Sequence, residues 1–301
     1  MEQVLGQAQA SGPVTDVDGL AINAEVMFAD HKGRHKPRIE KRQRKLLSQM
    51  SFLSDFLQEG ETIQVVTTAV SPTTFIDQWT TGYIYMYIRR CFLIVTDRRI
   101  LHVPTTINYK YRRSISQICF GDVESIVLRG AHLKVKYTSG GNDQFLHLRG
   151  AERKKIRLMF KENKPEGSTS NAGKRAHLCP RCTSELNAGV YACGSCALEF
   201  KSRKTALKLS VWLPGGGYFY TGHPILGLID ASVELILMLA IIGSWLPDAS
   251  GSGGGFAEAS VFVIILLIEK LITVYHADNF IQEYLTRDKQ ITPANQFAMS
   301  K

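Results

Sequence analysis

The chain has 301 residues, of which 21% are charged and 45% are hydrophobic, so its composition excludes a disordered protein. Its net charge of +9 is unevenly distributed, because residues 209–301 contain more acidic than basic side chains. The longest apolar runs lie in that same region. Together these properties exclude a simple soluble globule and indicate a basic, water-soluble portion joined to a membrane anchor.

The N-terminal region predicts a tail followed by a basic helix. The first 30 residues have no basic stretch followed by an apolar one, so we expect no cleaved signal peptide and reduced cysteines. Residues 1–37 are expected to be poorly ordered, and the basic tract 31–45 leads into apolar residues at helical spacing, which predicts an amphipathic helix over 38–60. This helix either meets anionic lipid or nucleic acid, or packs its apolar side on the next domain.

Residues 61–162 have the sequence pattern of a small β domain. Short runs rich in β-branched and aromatic residues alternate with turn residues as far as residue 148, and a helical pattern follows. The pattern predicts an antiparallel sandwich or small barrel closed by one C-terminal helix. Cys91 and Cys119 each lie inside a predicted strand and are expected in its core.

Three elements of this region carry a family resemblance: Glu61, the string FLIVTDRRIL at residues 92–101, and SISQI at residues 114–118. They resemble the bacterial pleckstrin-homology-like (PH-like) domains, and the TDRRI element is the most specific part. The resemblance covers about a third of the chain. It implies a binding or scaffolding module rather than an enzyme, and it implies no particular ligand.

A polar linker over residues 163–176 precedes two CxxC pairs, whose cysteines are Cys179, Cys182, Cys193 and Cys196. Two such turns close a tetrahedral site of four sulfurs, which predicts one structural Zn²⁺ per chain in a zinc ribbon over residues 177–200. A redox pair or disulfides are the alternatives, but no βαβ pattern surrounds the cysteines. With so few residues, the ribbon is expected to depend on metal to fold, and His177 to face solvent.

Two apolar segments, residues 225–246 and 256–277, are long enough to cross a bilayer. The Gly/Ser-rich turn between them has no Lys or Arg, whereas basic residues flank the pair, so both termini are expected in the cytoplasm. The prediction is a transmembrane hairpin within residues 205–278, followed by a cytoplasmic tail over 279–301. The alternative is a buried helical hairpin in a soluble protein.

The hairpin contains two further features. The string PGGGYFYTG at residues 214–222 resembles an element of small two-helix bacterial membrane domains, and its glycines allow close backbone approach or a bend. Asp230 and Glu234 lie on one helix face, and Lys270 is expected to pair with Asp230. Whether the two acids are structural or part of an ion path stays open.

The sequence contains no Walker-type, GxGxxG, GxSxG or HExxH motif, so we expect no enzyme activity. The fold class predicted is multidomain: an α+β PH-like barrel, a zinc ribbon and an α-helical transmembrane hairpin. The function expected is that of a multi-pass adaptor of the bacterial inner membrane, with lipids and a protein as partners. A membrane-tethered nucleic-acid-binding regulator and an oligomeric transporter or channel subunit are the alternatives.

Overall fold

The computed structural model describes residues 14–162, 167–245 and 255–287. Its contacts divide the chain after Leu198 into two compact units. We call the described residues up to 198 the β unit and residues 199–287 the helical unit. The first is a mixed α/β structure built on a large sheet, and the second is almost entirely helical.

The strands of the β unit are β1 (Val14–Val17), β2 (Leu20–Asn23), β3 (Ile63–Val70), β4 (Arg90–Thr96), β5 (Arg99–Pro104), β6 (Ile115–Cys119), β7 (Val123–Arg129), β8 (His132–Tyr137), β9 (Asn142–Phe145), β10 (Ala176–Leu178) and β11 (Glu185–Leu186). Its α-helices are α1 (Ala24–Phe28), α2 (Pro37–Leu47), α3 (Phe75–Thr81), α4 (Tyr85–Ile88) and α5 (Gly150–Glu162). Short 3₁₀ turns lie at Ser51–Asp55, Gly82–Ile84 and Phe120–Asp122.

Two sheets form the β unit. The larger has the strand order β1-β2-β3-β4-β5-β6-β10-β11, and the smaller has the order β7-β8-β9. Neighbouring strands are antiparallel except β2 and β3, which pair in parallel through Ile22 and Ile63. Strands β3 to β6 follow one another in chain order, as expected for an antiparallel meander.

The central strands are buried on both faces. Successive side chains of β4 alternate, with Phe92 and Ile94 in one apolar cluster and Leu93 and Val95 in the other. The first cluster is completed by the N-terminal segment, and the second by the smaller sheet and α5. The unit therefore has three layers, and burial on both faces explains why β4 reads as a continuous apolar run.

The N-terminal segment differs from the expected disordered tail. Residues 1–13 lie outside the described residues, but residues 14–28 form the hairpin β1–β2 and helix α1. The hairpin turns at Asp18 and Gly19, which both have positive φ, and the Asp16 carboxylate accepts a hydrogen bond from the Gly19 amide. These short strands carry too few apolar residues for the sequence pattern to reveal them.

The basic helix is shorter than the predicted 38–60 and packs on the sheet. It ends at Leu47, which is fully buried, as is Gln43. The Gln43 side chain donates to the Val66 carbonyl at 2.9 Å and accepts from the Val66 amide at 3.2 Å, so it takes the place of a neighbouring strand. These contacts agree with the packed arrangement, whereas lipid or nucleic-acid binding by residues 31–45 stays a hypothesis.

The connection from β3 to β4 also departs from the expectation. The apolar stretch 83–95 predicts one strand, or the end of one strand and the start of another. In the structure residues 75–88 form α3, a 3₁₀ turn and α4, and β4 begins at Arg90. Thr74 caps α3 in a reciprocal capping box with Asp77. Gly82, with φ of +52°, then interrupts the helical run at a conformation that favours glycine.

The helical unit contains α6 (Arg203–Trp212), α7 (Gly216–Thr221), α8 (Pro224–Ser244) and α9 (Gly255–Ile281). By length and apolar composition, α8 is the one described helix that meets the requirements for crossing a membrane. Helix α9 is longer but carries Glu258, Glu269 and Lys270. A second span is therefore not established by composition.

Candidate functional site

The four predicted cysteines converge into a candidate metal centre in the β unit. Their Sγ atoms all lie within 4.8 Å of one another, with Cys179–Cys196 and Cys182–Cys193 each separated by 3.5 Å. Tetrahedral zinc with Zn–S bonds of about 2.3 Å separates its sulfurs by about 3.8 Å. None of the four is in a disulfide. The donor set and spacing therefore fit a four-coordinate thiophilic metal.

The two CxxC turns repeat the same backbone structure. The Cys179 amide donates to the Ser184 carbonyl and the Thr183 amide to the Cys179 carbonyl, at 2.8 and 2.9 Å. The equivalent bonds in the second turn run from Cys193 to Leu198 and from Ala197 to Cys193, both 2.9 Å. Thr183 and Ala197 both adopt positive φ, at +61° and +56°. This conformation costs a residue other than glycine about 1–2 kcal/mol, so its repetition indicates two turns shaped to hold ligands.

Ser184 is a neighbour of the sulfurs that the sequence analysis missed. Its hydroxyl lies 3.1 Å from the Cys182 Sγ atom and 3.3 Å from that of Cys193. Burial raises the pKa of the Cys193 thiol, but hydrogen bonds from Ser184 and from the amides of residues 195 and 196 outweigh it and lower the pKa to about 6. At Cys193 these donors favour the thiolate, the form that binds metal, whereas burial raises the pKa of the Cys179 and Cys196 thiols.

The cysteine segment is continuous with the large sheet. β10 pairs with β6, placing His177 opposite Ser116, and β11 pairs with β10. Of the predicted linker 163–176, the described part also contacts the sheet region, since Ser170 donates twice to the Asp122 carboxylate, at 2.6 and 2.9 Å. His177 is half-buried in β10 rather than facing solvent. The segment therefore gains support from the sheet as well as from any metal.

The TDRRI element is explained by a buried ion pair. Arg99 donates to both carboxylate oxygens of Glu61, at 2.9 and 2.7 Å, and the Thr96 hydroxyl donates to the same carboxylate at 2.7 Å. Arg99 also donates to Gln117, whose amide donates to Glu185 in β11. Although burial raises the pKa of Glu61, its bonds with Arg99 lower it overall. Arg99 thus joins the sheet to the cysteine segment.

One buried histidine resembles part of a catalytic arrangement. The His102 ring lies between the hydroxyls of Ser71 and Ser116, with its nitrogens 2.8 and 2.9 Å from their Oγ atoms. The sequence analysis did not bring these residues together. All three are nearly or fully buried, so a substrate has no access to them and they act as a hydrogen-bonded part of the core.

A polar cluster lies inside the helical unit. Lys270 contacts the Glu234 carboxylate at 2.6 Å and donates to the Ser210 carbonyl at 3.0 Å. Asp230 instead accepts from the Thr273 hydroxyl, so the expected Lys270–Asp230 pair is wrong. Carboxylate oxygens of Asp230, Glu234 and Glu269 lie within 4.8 Å of one another. The Lys270 ammonium supplies the cation at Glu234.

The glycines of PGGGYFYTG are required by close packing. A Cβ atom on Gly215 would lie 2.1 Å from the Gly227 carbonyl oxygen, and one on Gly217 would lie 2.1 Å from the Ser210 hydroxyl. Tyr218 is buried and its hydroxyl is 2.5 Å from Nδ1 of His276. The motif therefore permits α6, α7, α8 and α9 to approach closely, as predicted from its glycines.

The outer surface of α8 and α9 is apolar. Only 17% of the apolar window of α8 is buried within the structure, and Leu239 and Leu271 are 67% and 69% exposed. The exposed apolar residues of the two helices further include Ile225, Leu228, Ile229, Ile236, Ile242, Val261, Ile264, Leu267 and Ile268. Such a surface exceeds what soluble monomers present to water.

Comparison with protein-family models, curated proteins and solved structures finds no match for this chain. The structure and the sequence therefore carry the functional argument.

Proposed function

We propose that the protein is a membrane-anchored adaptor without enzyme activity. In this proposal the helical unit holds the chain in a bilayer, one structural Zn²⁺ supports the cysteine segment, and the β unit contains a PH-like domain that recruits a lipid or protein partner. The observation that carries the proposal is the exposed apolar surface of α8 and α9 around a polar interior. This distribution suits a lipid solvent and is unfavourable in water.

The arrangement of β3–β9 and α5 supports the PH-like part. Four consecutive antiparallel strands, β3 to β6, are followed by the three-stranded sheet β7–β9 and then by α5. The residues of the resemblance, Glu61, Thr96 and Arg99, contact one another in the interior. Their role is accordingly structural, and the partner surface must be sought elsewhere on the unit.

The polar contacts of α9 support a second membrane span beside α8. Lys270 meets Glu234 of α8, and Thr273 meets Asp230 of α8, so these two polar residues of α9 have their partners on the neighbouring helix. Together with the basic residues that flank the pair, this supports a hairpin with both termini in the cytoplasm of a bacterial cell.

A second candidate function is membrane-tethered nucleic-acid binding. The outer face of β7–β9 forms a shallow groove of about 420 Å³, lined in part by Arg129, His132, Lys134 and Lys136. Basic side chains on one face favour phosphate backbones. Lys136 is paired with Glu124 at 2.7 Å, however, and no aromatic side chain lines the groove to stack on bases. We therefore place this candidate second.

Membrane fractionation of the full chain tests the anchor. We expect the protein in the membrane pellet after alkaline carbonate washing, and reporters fused to either terminus on the cytoplasmic side. Release by carbonate would refute the anchor, and a periplasmic terminus would refute the orientation.

DNA binding by the detergent-purified chain tests the second candidate. If the wild type retains DNA strongly and in a salt-sensitive manner, and the variant Lys134→Gln/Lys136→Gln loses that retention, nucleic acid is favoured over lipid or protein as the partner.

A further inference from the structure

An apolar surface on the β unit lies outside its two hydrophobic clusters. Phe75, Trp79 and Tyr83 are 80%, 75% and 84% exposed, values extreme for large aromatic residues in a sheet-based unit. Ile76, Ile84 and Tyr87 add exposures of 51%, 44% and 47%. We call these six residues the aromatic patch. All six come from the single connection between β3 and β4, so the patch is contiguous along the chain.

The patch is held on a rigid base. Val70 and Leu146 exchange two backbone hydrogen bonds where the connection leaves β3, and the Ser71 amide donates to the Arg89 carbonyl at 2.8 Å where it returns. The capping box of Thr74 and Asp77 fixes the start of α3. The aromatic side chains are therefore displayed by ordered helical turns, which lowers the entropy lost when they bind.

The charge around the patch is positive. In residues 71–90 and in the neighbouring loop 105–113, the basic side chains that are not buried are Arg90, Lys110, Arg112 and Arg113, whereas Arg89 is 7% exposed. The two segments are in contact, because the Arg90 guanidinium lies over the rings of Tyr87 and Tyr109, at 4.8 and 4.9 Å, and donates to the Ile107 carbonyl. The single acid of these segments, Asp77, is 4% exposed and occupied in the capping box.

We propose that the aromatic patch inserts into the headgroup region of an anionic bilayer, and so presses the β unit onto the membrane. Tryptophan and tyrosine favour that region because each ring combines an apolar body with a polar group. Isoleucine and phenylalanine supply the area that enters the acyl boundary, and the basic loop meets lipid phosphate. The inference rests on the proposed membrane anchor, which keeps a bilayer at high effective concentration.

The chain contains a tryptophan that can report on the aromatic patch and another that can report on the membrane anchor. Its three tryptophans are Trp79 in the patch, Trp212 at the end of α6 and Trp245 at the end of α8. The full-length variant Trp212→Phe/Trp245→Phe leaves Trp79 as the reporter of the patch. The variant Trp79→Phe/Trp212→Phe leaves Trp245, 63% exposed, as the reporter of the anchor.

Both variants are placed in nanodiscs of phosphatidylcholine, with or without phosphatidylglycerol, and with or without brominated lipid. We expect brominated lipid to quench Trp79 several-fold in the anionic discs and far less in the neutral ones. Adding Phe75→Ser/Tyr83→Ser to the Trp79 reporter should abolish the quenching. The matched control Val127→Thr/Val190→Thr, which alters exposed apolar residues outside the patch, should leave it unchanged.

Three results would overturn the inference. If Trp245 is quenched while Trp79 remains open to aqueous iodide in every disc, the patch is not at the bilayer although the anchor stands. If Trp79 is shielded from iodide but not quenched by brominated lipid, and the shielding grows with copies per disc, a second chain covers the patch instead. If neither tryptophan is quenched, the anchor itself fails and the inference fails with it.

Discussion

The β unit and the helical unit each enclose a carboxylate paired with a cation, yet they place their apolar side chains in opposite directions. Glu61 and Arg99 lie 2.7 Å apart between layers of aliphatic residues. Glu234 and Lys270 lie 2.6 Å apart in a unit whose aliphatic residues face outward. The same local chemistry thus occurs in a unit whose aliphatic side chains face inward and in one whose aliphatic side chains face outward.

The comparison shows why internal polarity alone does not identify the solvent of a unit. A buried charge needs a partner whether the unit lies in water or in lipid, so a buried ion pair does not distinguish the two solvents. The discriminating property is the large exposed apolar area of α8 and α9. In the β unit, comparable exposure is concentrated in the connection between β3 and β4.

Metal removal should produce the largest difference between the units. Structural zinc contributes on the order of 10 kcal/mol to small zinc domains, so chelation or Cys193→Ser should open residues 176–198. Elemental analysis should give one zinc per wild-type chain and none in the variant. Hydrogen exchange in α6–α9 should stay unchanged, because Lys270 rather than a metal supplies the cation at Glu234. A wild-type chain without zinc would refute the metal centre.

Breaking the two ion pairs should affect each unit separately. Removing one charge from a buried pair costs about 3–5 kcal/mol, because the other charge is left uncompensated. Glu61→Gln should therefore speed hydrogen exchange in β3–β6, and Glu234→Gln should do so in α6–α9. The control Glu124→Gln alters an exposed pair with Lys136 and should change stability by less than about 1 kcal/mol. Equal effects of all three would mean that neither pair is buried as described.

Placing a charge on the outer surface of each unit should show whether that surface faces lipid or water. A charged residue at the centre of a membrane helix costs about 3 kcal/mol, so Leu239→Glu should reduce the carbonate-resistant fraction markedly. Val127→Glu in β7 should be tolerated, because Val127 is 42% exposed and faces Lys134 across the sheet. If Leu239→Glu leaves membrane retention intact, α8 does not meet lipid.

Glycine substitutions should give the smallest effect and test the packing within the helical unit. Gly217→Ala places a methyl group 2.1 Å from the Ser210 hydroxyl and 3.2 Å from the Ala277 Cβ, which should cost about 1–3 kcal/mol. Gly243→Ala meets nothing within 4 Å and should be neutral or slightly stabilising. Thermal unfolding in detergent compares the two. Equal tolerance of both would contradict the close approach of these helices.

The sequence predicted what depends on local spacing. The four cysteines are recognisable because the CxxC turn needs only four residues. Most strands of the β unit are recognisable because short runs of β-branched and aromatic residues are separated by turn residues. It did not predict the pairing of β10 with β6, since that contact joins residues far apart in the chain. The Gln43–Val66 contact was missed for the same reason. The Ser184 hydroxyl is close in sequence to Cys182 and Cys193, and it was missed because the CxxC pattern does not specify which neighbouring side chains face the sulfurs.

The connection between β3 and β4 shows a different limit. Its later aromatic residues, from Tyr83 onward, were assigned to the strand pattern because the stretch 83–95 is a long apolar run of β type. Phe75, Trp79, Tyr83 and Tyr87 recur at intervals of four, however, which fits helical turns better than alternation. Nothing in that spacing says whether the residues face the core or the outside, because this depends on layers supplied by distant segments.

The pairing of β10 with β6 also bears on how the chain stays soluble during synthesis. Strand β6 reads ISQIC and would be the edge of the large sheet if β10 and β11 were absent. Such a strand is a template for pairing between chains, and the two-residue β11 is too short to serve as one. If the proposed metal centre holds β10 and β11 in place, a chain that folds without metal leaves this edge open to pairing with other chains.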